Sequence, residues 1–60
     1  MRKLQIIVEG SADKLMKHVN EYFEKLEKLG YEVIKTDYTK VYLGDYYAFI
    51  DYQKKNSANK

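Results

Sequence analysis

Residues 31–52 read YEVIKTDYTKVYLGDYYAFIDY and contain six of the seven tyrosines of the chain. β-Branched and aromatic residues predominate in this stretch, and Gly44-Asp45 interrupts them with a turn signal. The stretch therefore predicts a β-hairpin closed by a two-residue turn. Apolar or aromatic side chains fall on both faces of the predicted hairpin, and a single helix covers only one face of a sheet.

The two-residue turn also sets the register of the predicted hairpin. It pairs Leu43 with Tyr46, Val41 with Ala48 and Thr39 with Ile50. The face that includes Ala48 then contains Val33, Lys35, Asp37, Thr39, Val41, Leu43, Tyr46, Ile50 and Tyr52. The opposite face contains Ile34, Thr36, Tyr38, Lys40, Tyr42, Tyr47, Phe49 and Asp51. Asp37 is unfavourable on a face that meets a helix, and a bulge within residues 37–40 would exchange the faces of the earlier half of the hairpin.

The segment before the hairpin predicts a helix over residues 12–29. Its apolar residues recur at spacings of three and four and form one broad stripe. They are Ala12, Leu15, Met16, Val19, Tyr22, Phe23, Leu26 and Leu29. Ser11 is a favourable N-cap, and Gly30 is a favourable residue to end the helix.

Residues 3–9 alternate in polarity, which predicts a first strand with one half-buried face. Leu4, Ile6 and Val8 form the apolar side of this strand, and Ile7 is the exception on the polar side. The element order is therefore β-α-β-β, and we expect an α+β fold with one helix packed on a three-stranded mixed sheet. Strand 3 is apolar on both sides, which favours a central position, antiparallel to both neighbours. We expect residues 1–53 to form a single domain and residues 54–60 to form a disordered C-terminal tail.

The length and composition limit how this domain reaches stability. A chain of 60 residues buries only about 60% of its unfolded surface, so a monomer is marginally stable. The chain has no cysteine and a single histidine, His18. A disulfide framework and thiolate metal sites are excluded, and we expect no metal and no cofactor. Close packing and oligomerisation remain as sources of stability.

No segment resembles a membrane span or a signal peptide. The longest aliphatic run, residues 6–8, is far too short to cross a bilayer, and the N-terminal residues lack the pattern of a signal peptide. We therefore expect a cytoplasmic protein without a membrane partner.

The net charge of +2 hides an uneven distribution. Between residues 4 and 53, six lysines stand against nine acidic residues, so the body of the domain is mildly acidic. Nucleic-acid-binding domains usually carry a basic patch, because phosphate neutralisation supplies much of their affinity. The charge argues against that role unless the basic termini lie beside the tyrosines.

The aromatic face of the predicted hairpin is the candidate binding surface. The partner-binding residues that we predict are Ile34, Tyr38, Lys40, Tyr42, Tyr47 and Phe49. Aromatic residues are enriched at protein interfaces, so this face suits a homodimer or a host protein. The same rings could stack on single-stranded nucleic acid with Lys40 supplying charge, or they could cover the sheet as solvated side chains.

Catalysis is the weakest interpretation of the sequence. No nucleophile is paired with a base, and His18 lies on a helix flank beside the apolar stripe. Asp37, Asp45 and Asp51 are too far apart along the predicted hairpin to form one site. The chain also lacks a glycine-rich phosphate loop, so we expect a non-enzymatic protein.

Three segments resemble the Cse60-like family of small sporulation-associated and phage-borne proteins of Gram-positive bacteria. They are LQIIV at 4–8, HVNEYFEKL at 18–26 and YYAFIDY at 46–52, whereas KTDY at 35–38 matches only loosely. This resemblance implies a cytosolic accessory protein encoded by a phage or another mobile element. It brings no catalytic residues.

Overall fold

The computed structural model of the chain describes residues 2–41 and 43–55. Strand β1 spans Arg2–Glu9, helix α1 spans Ala12–Leu29, strand β2 spans Tyr31–Lys40 and strand β3 spans Tyr46–Lys54. The predicted α+β order is confirmed.

Ser11 and Gly30, from which the ends of the helix were predicted, cap α1 in the structure. The Ser11 hydroxyl accepts a hydrogen bond from the backbone N–H of Lys14 at 3.3 Å. Gly30 adopts a left-handed conformation with φ of 85°, and its N–H donates to the carbonyl of Glu27. The predicted helix bounds are confirmed, and within the described part of the chain no helix is long and apolar enough to cross a bilayer.

The sheet order is β1-β3-β2, which confirms the central position of strand 3. Strand β3 is antiparallel to β1 and to β2. The described sheet is therefore entirely antiparallel, and its description as mixed was wrong.

The register between β2 and β3 differs from the predicted one. Lys40 lies opposite Tyr46, and Tyr38 lies opposite Ala48. The connection spans residues 41–45 rather than two residues, and the Val41 N–H donates to the Asp45 carbonyl at 3.1 Å. Over residues 35–40 the ladder is shifted by three residues from the predicted register, and an odd shift moves the side chains of this part of β2 to the other face.

A second irregularity lies near the start of β2. The pairing shifts between Val33 and Lys35, so Ile34 is an additional residue in that strand. The alternative considered from the sequence was a bulge within residues 37–40. Asp37 shared a face with Ala48 in the predicted register. In the structure it lies opposite Phe49, on the face away from the helix.

One cluster of buried residues forms between α1 and the sheet. Its members are Ile7, Leu15, Val19, Leu26, Ala48 and Ile50. Strand β1 contributes through Ile7, which is 3% exposed and lies opposite Ala48. The assignment of the Leu4, Ile6 and Val8 side to the half-buried face was wrong, because α1 covers the side that carries Ile7.

The ordered domain extends slightly beyond residue 53. Strand β3 continues to Lys54, and the backbone N–H of Lys55 donates to the Gly30 carbonyl at 2.9 Å. The Lys55 ammonium also lies 3.4 Å from the Glu27 carboxylate. These contacts join the end of β3 to the end of α1, and the rest of the predicted tail, residues 56–60, lies outside the described residues.

Candidate functional site

The sheet face opposite α1, called here the open face, carries a cluster of apolar side chains. Its members are Leu4, Ile6, Val8, Tyr47 and Phe49, which we call the apolar patch. Direct neighbours on antiparallel strands project to the same side, and Val8 lies opposite Tyr47 as Ile6 lies opposite Phe49. The patch is therefore continuous across β1 and β3.

The patch combines exposed aliphatic residues with an aromatic pair. Leu4, Ile6 and Val8 are 55%, 46% and 43% exposed. The rings of Tyr47 and Phe49 are half-buried and nearly parallel, with centroids 6.3 Å apart and an angle of 16° between the ring planes. A solvated antiparallel sheet face is normally polar, so the apolar patch makes the open face the candidate binding surface of this chain.

Ion pairs lie beside the apolar patch. The Arg2 guanidinium contacts the Asp51 carboxylate at 2.9 Å, next to Leu4. On β2, the ammonium of Lys35 lies 3.6 Å from the carboxylate of Asp37. The charges on the open face largely compensate one another, which leaves little net field for attracting phosphate.

Only part of the predicted surface lies on the open face. Tyr47 and Phe49 lie there as expected. Tyr38 and Lys40 lie opposite Ala48 and Tyr46, so the register places them on the helix side of the sheet. Grouping Tyr38 and Lys40 with Tyr47 was wrong, because it depended on the two-residue turn.

The two other predicted residues are Ile34 and Tyr42. Ile34 is the additional residue of the bulge and has no direct partner in β3. Tyr42 lies outside the described residues. The sequence reasoning missed Leu4, Ile6 and Val8, although their alternation in residues 3–9 was the signal that could have found them.

Three other tyrosines form a cluster on the helix side of the sheet. The Tyr52 ring makes edge-on contacts with Tyr22 and Tyr31, with centroids 6.0 Å and 5.3 Å away. The Tyr22 hydroxyl donates to the side-chain oxygen of Gln5 at 3.4 Å. All three rings pack against the buried cluster, so the tyrosine content of the chain partly serves its core.

This tyrosine cluster predicts a loss of stability in alkali. Burial, with the adjacent Tyr52 hydroxyl, raises the pKa of Tyr22 from 10.0 to about 12. The folded protein therefore holds this proton more tightly than the unfolded chain does. Stability from the neutral phenol is complete below pH 10 and is lost as the pH rises towards 12, with a slope of at most about 1.4 kcal/mol per pH unit.

Urea unfolding of the wild type and of Tyr22→Phe across this alkaline range measures the effect. We expect the free energy of unfolding to fall less steeply with pH in Tyr22→Phe, because the group that titrates is absent. Equal slopes for the two proteins would contradict the role of Tyr22.

His18 contacts a carboxylate at the edge of the helix. Its Nδ1 lies 2.9 Å from Oε2 of Glu9, and both side chains are partly exposed. Lys14, Lys17 and Glu21 surround this pair in a shallow depression. Across residues 2–41 and 43–55, no group of three or more His, Cys, Asp or Glu side chains is arranged to hold a metal ion. The contact joins β1 to α1.

Comparisons with protein-family models, with curated proteins and with solved structures give no match to this chain. The resemblance to Cse60-like proteins stays a prediction from the three segments quoted above.

Proposed function

We propose that this chain is a small non-enzymatic accessory protein that binds another protein through its open face, most simply a second copy of itself. The observation that supports this proposal is the apolar patch, which no element of the described chain covers. Burial of apolar surface is worth about 25 cal/mol per Å², so a partner that covers the patch gains free energy.

The composition of the patch favours a protein partner. Protein interfaces have an aromatic centre that is poor in charge and a polar rim. Tyr47 and Phe49 lie on the central strand, and the Arg2–Asp51 and Lys35–Asp37 ion pairs lie beside the patch. These features match that distribution.

A second copy is the simplest partner because the patch is complementary to itself. Most soluble oligomers are symmetric, and a two-fold axis brings the same patch of both subunits together. Two sheets can stack about 10 Å apart with their strands within about 30°. A homodimer also supplies the additional burial that a chain of 60 residues needs.

Single-stranded nucleic acid is the second candidate partner. The stacked Tyr47 and Phe49 rings resemble the platforms on which bases stack. However, Arg2 and Lys35 each contact a carboxylate, and Lys40 lies on the other side of the sheet. We therefore rank this candidate below protein binding.

Matched tyrosine substitutions test the proposal. Tyr47→Ala is expected to raise the dissociation constant of the dimer by at least about tenfold, because aromatic anchors dominate interface energies. Tyr38→Ala is the control, since it removes the same side chain from the helix side of the sheet. Sedimentation equilibrium measures both constants, and circular dichroism checks that each variant folds.

Two outcomes would contradict binding between copies. The first is a monomeric wild type at high micromolar concentration. The second is an equal effect of Tyr47→Ala and Tyr38→Ala. Tyrosine fluorescence that responds to mixed oligonucleotides at low salt, and that loses the response in Tyr47→Ala, would instead favour the nucleic-acid candidate.

We also propose a cellular location for the protein and an origin for its gene. We place the protein in the cytoplasm, as expected from the sequence. The resemblance to Cse60-like proteins adds a phage or another mobile element as the origin of the gene.

A further inference from the structure

The two edges of the sheet differ in regularity. Strand β2 forms one edge and contains the bulge between Val33 and Lys35. Bulges are a common means of preventing an edge strand from pairing with another chain. Strand β1 forms the other edge, and its pairing with β3 is continuous from Arg2 to Glu9. The chain has no proline, so β1 retains the backbone donors of a regular edge.

The charges of β1 are arranged for pairing with itself. Arg2 and Lys3 lie at its start, and Glu9 lies at its end. When two identical strands pair antiparallel, the start of each strand meets the end of the other. The basic end of one copy therefore lies beside the acidic end of the second, which is favourable.

We propose that β1 pairs antiparallel with β1 of a second copy, about a two-fold axis at Ile6. The inference rests on the proposed function in one respect, namely that the partner is a second copy of this chain. It assigns to that copy a second contact surface, the edge of the sheet rather than its open face.

The side-chain pattern selects the register of this contact. With the axis at Ile6, Leu4 lies opposite Val8 of the partner subunit, and Lys3 lies opposite Glu9 of the partner subunit. Moving the axis to Gln5 places Lys3 opposite Ile7 of the partner subunit. Moving it to Ile7 places Lys3 beyond the end of the partner's strand β1, so that no strand residue lies opposite it. The register at Ile6 alone matches both the apolar and the charged residues.

The charged pair lies on the helix side of the sheet. Lys3 lies opposite Tyr52, and Glu9 lies opposite Tyr46, on the same side as buried Ile7. One oxygen of the Glu9 carboxylate contacts His18 Nδ1 at 2.9 Å, and a carboxylate accepts several hydrogen bonds through its two oxygens. The pair is thus separate from the apolar patch, so the edge can be altered without altering the open face.

Edge pairing would enlarge the apolar surface on the open face. The β1 residues of the two copies lie side by side, so their two apolar patches merge into one wider band. If the open faces also stack as proposed, a second two-fold axis follows, and four copies form a closed assembly when the two axes intersect at right angles.

Charge reversal tests the edge contact. Lys3→Glu and Glu9→Lys each place like charges opposite one another twice in the pair, and each is expected to weaken edge pairing by about tenfold. The double variant, Lys3→Glu with Glu9→Lys, restores the attraction and is expected to restore the affinity. Lys25→Glu is the matched control, since it makes the same change of charge on α1. Sedimentation equilibrium at low salt measures all four variants.

Cysteine cross-linking tests the register, because the chain has no cysteine of its own. Directly opposed residues of antiparallel strands have Cα atoms about 4.5–5.5 Å apart, which suits a disulfide. Mild oxidation of a mixture of Lys3→Cys and Glu9→Cys is expected to give a cross-linked heterodimer, and each variant alone is expected to give little. Equal cross-linking of each variant alone, or no cross-linking in the mixture, would overturn the register.

Combining these variants with Tyr47→Ala separates the two contacts. If Tyr47→Ala lowers the mass while the charge reversals change nothing, the edge inference is wrong and the open-face proposal stands. If the charge reversals and their rescue behave as expected while Tyr47→Ala changes nothing, the edge contact stands and the open-face proposal is wrong.

Discussion

Ile50→Ala is expected to lower the free energy of unfolding by about 3–4 kcal/mol, the largest effect of a single truncation that we predict. Ile50 is fully buried on the central strand and is among the largest side chains of the core. Its neighbours on either side, Gln5 and Thr36, belong to different strands, so the cavity has little freedom to collapse. A domain of this size has a total stability of only about 3–9 kcal/mol, so the variant is expected to be largely unfolded at modest temperatures.

Phe49→Ala is the matched control for this experiment. Phe49 precedes Ile50 on the same strand but lies on the open face and is only half-buried. Urea unfolding at low protein concentration, where association contributes least, is expected to give a smaller loss for Phe49→Ala than for Ile50→Ala. A larger loss for Phe49→Ala would mean that the two faces of β3 are inverted.

Gly30→Ala is expected to lower the free energy of unfolding by about 1–2 kcal/mol. A β-carbon at this position meets no atom within 4 Å, so the expected loss does not come from a clash. It comes from the backbone, which has φ of 85° at Gly30, a left-handed conformation that alanine adopts only at an energetic cost.

Gly10→Ala is the control for this second prediction. Gly10 also has open space at the β-carbon position, but its φ does not lie in the left-handed region. Thermal unfolding is expected to show a lower midpoint for Gly30→Ala and little change for Gly10→Ala. Asparagine tolerates the left-handed region better than alanine, so Gly30→Asn is expected to lose less, and equal losses for the two Gly30 variants would refute the backbone explanation.

The helix could be predicted closely because its signals are local. The apolar stripe specifies a helical period, Ser11 satisfies an N–H at its start, and Gly30 ends it. The central position of β3 was predictable from its composition, since the side chains of two flanking strands shield a strand that is apolar on both faces.

The register of β2 could not be predicted, because it depends on loop conformation. Gly44-Asp45 favours a short turn, but among the described residues of the connection it is Leu43 that is left-handed, with φ of 58°. Leucine gives no signal for that conformation, since it is unfavourable for a residue with a side chain. The longer connection alone places Tyr38 and Lys40 on the other face than predicted. Nothing in the residues around Ile34 indicates the bulge, which changes the pairing of residues 31–33 only.

The β3 part of the candidate surface could be predicted from the sequence, but the β1 part could not. Alternation in residues 3–9 separates two faces of the strand but does not say which one the helix covers. One face carries Leu4, Ile6 and Val8, and the other carries Ile7 as its single apolar residue. Considered alone, β1 therefore predicts that the helix covers the first face, which is the wrong one. The choice is made by β3, where Ala48 and Ile50 are buried and fix the side on which α1 packs.

The irregular pairing at Ile34 also bears on how far copies of this chain can add to one another. A sheet whose two edge strands are both regular can pair with further chains without limit, which is how fibrils grow. Two copies joined at β1 expose only β2 at both outer rims, and each β2 carries the same interruption. If the proposed β1 pairing holds, edge-to-edge addition ends after a single step, and one extra residue in β2 keeps a small tyrosine-rich protein from forming a filament along this edge.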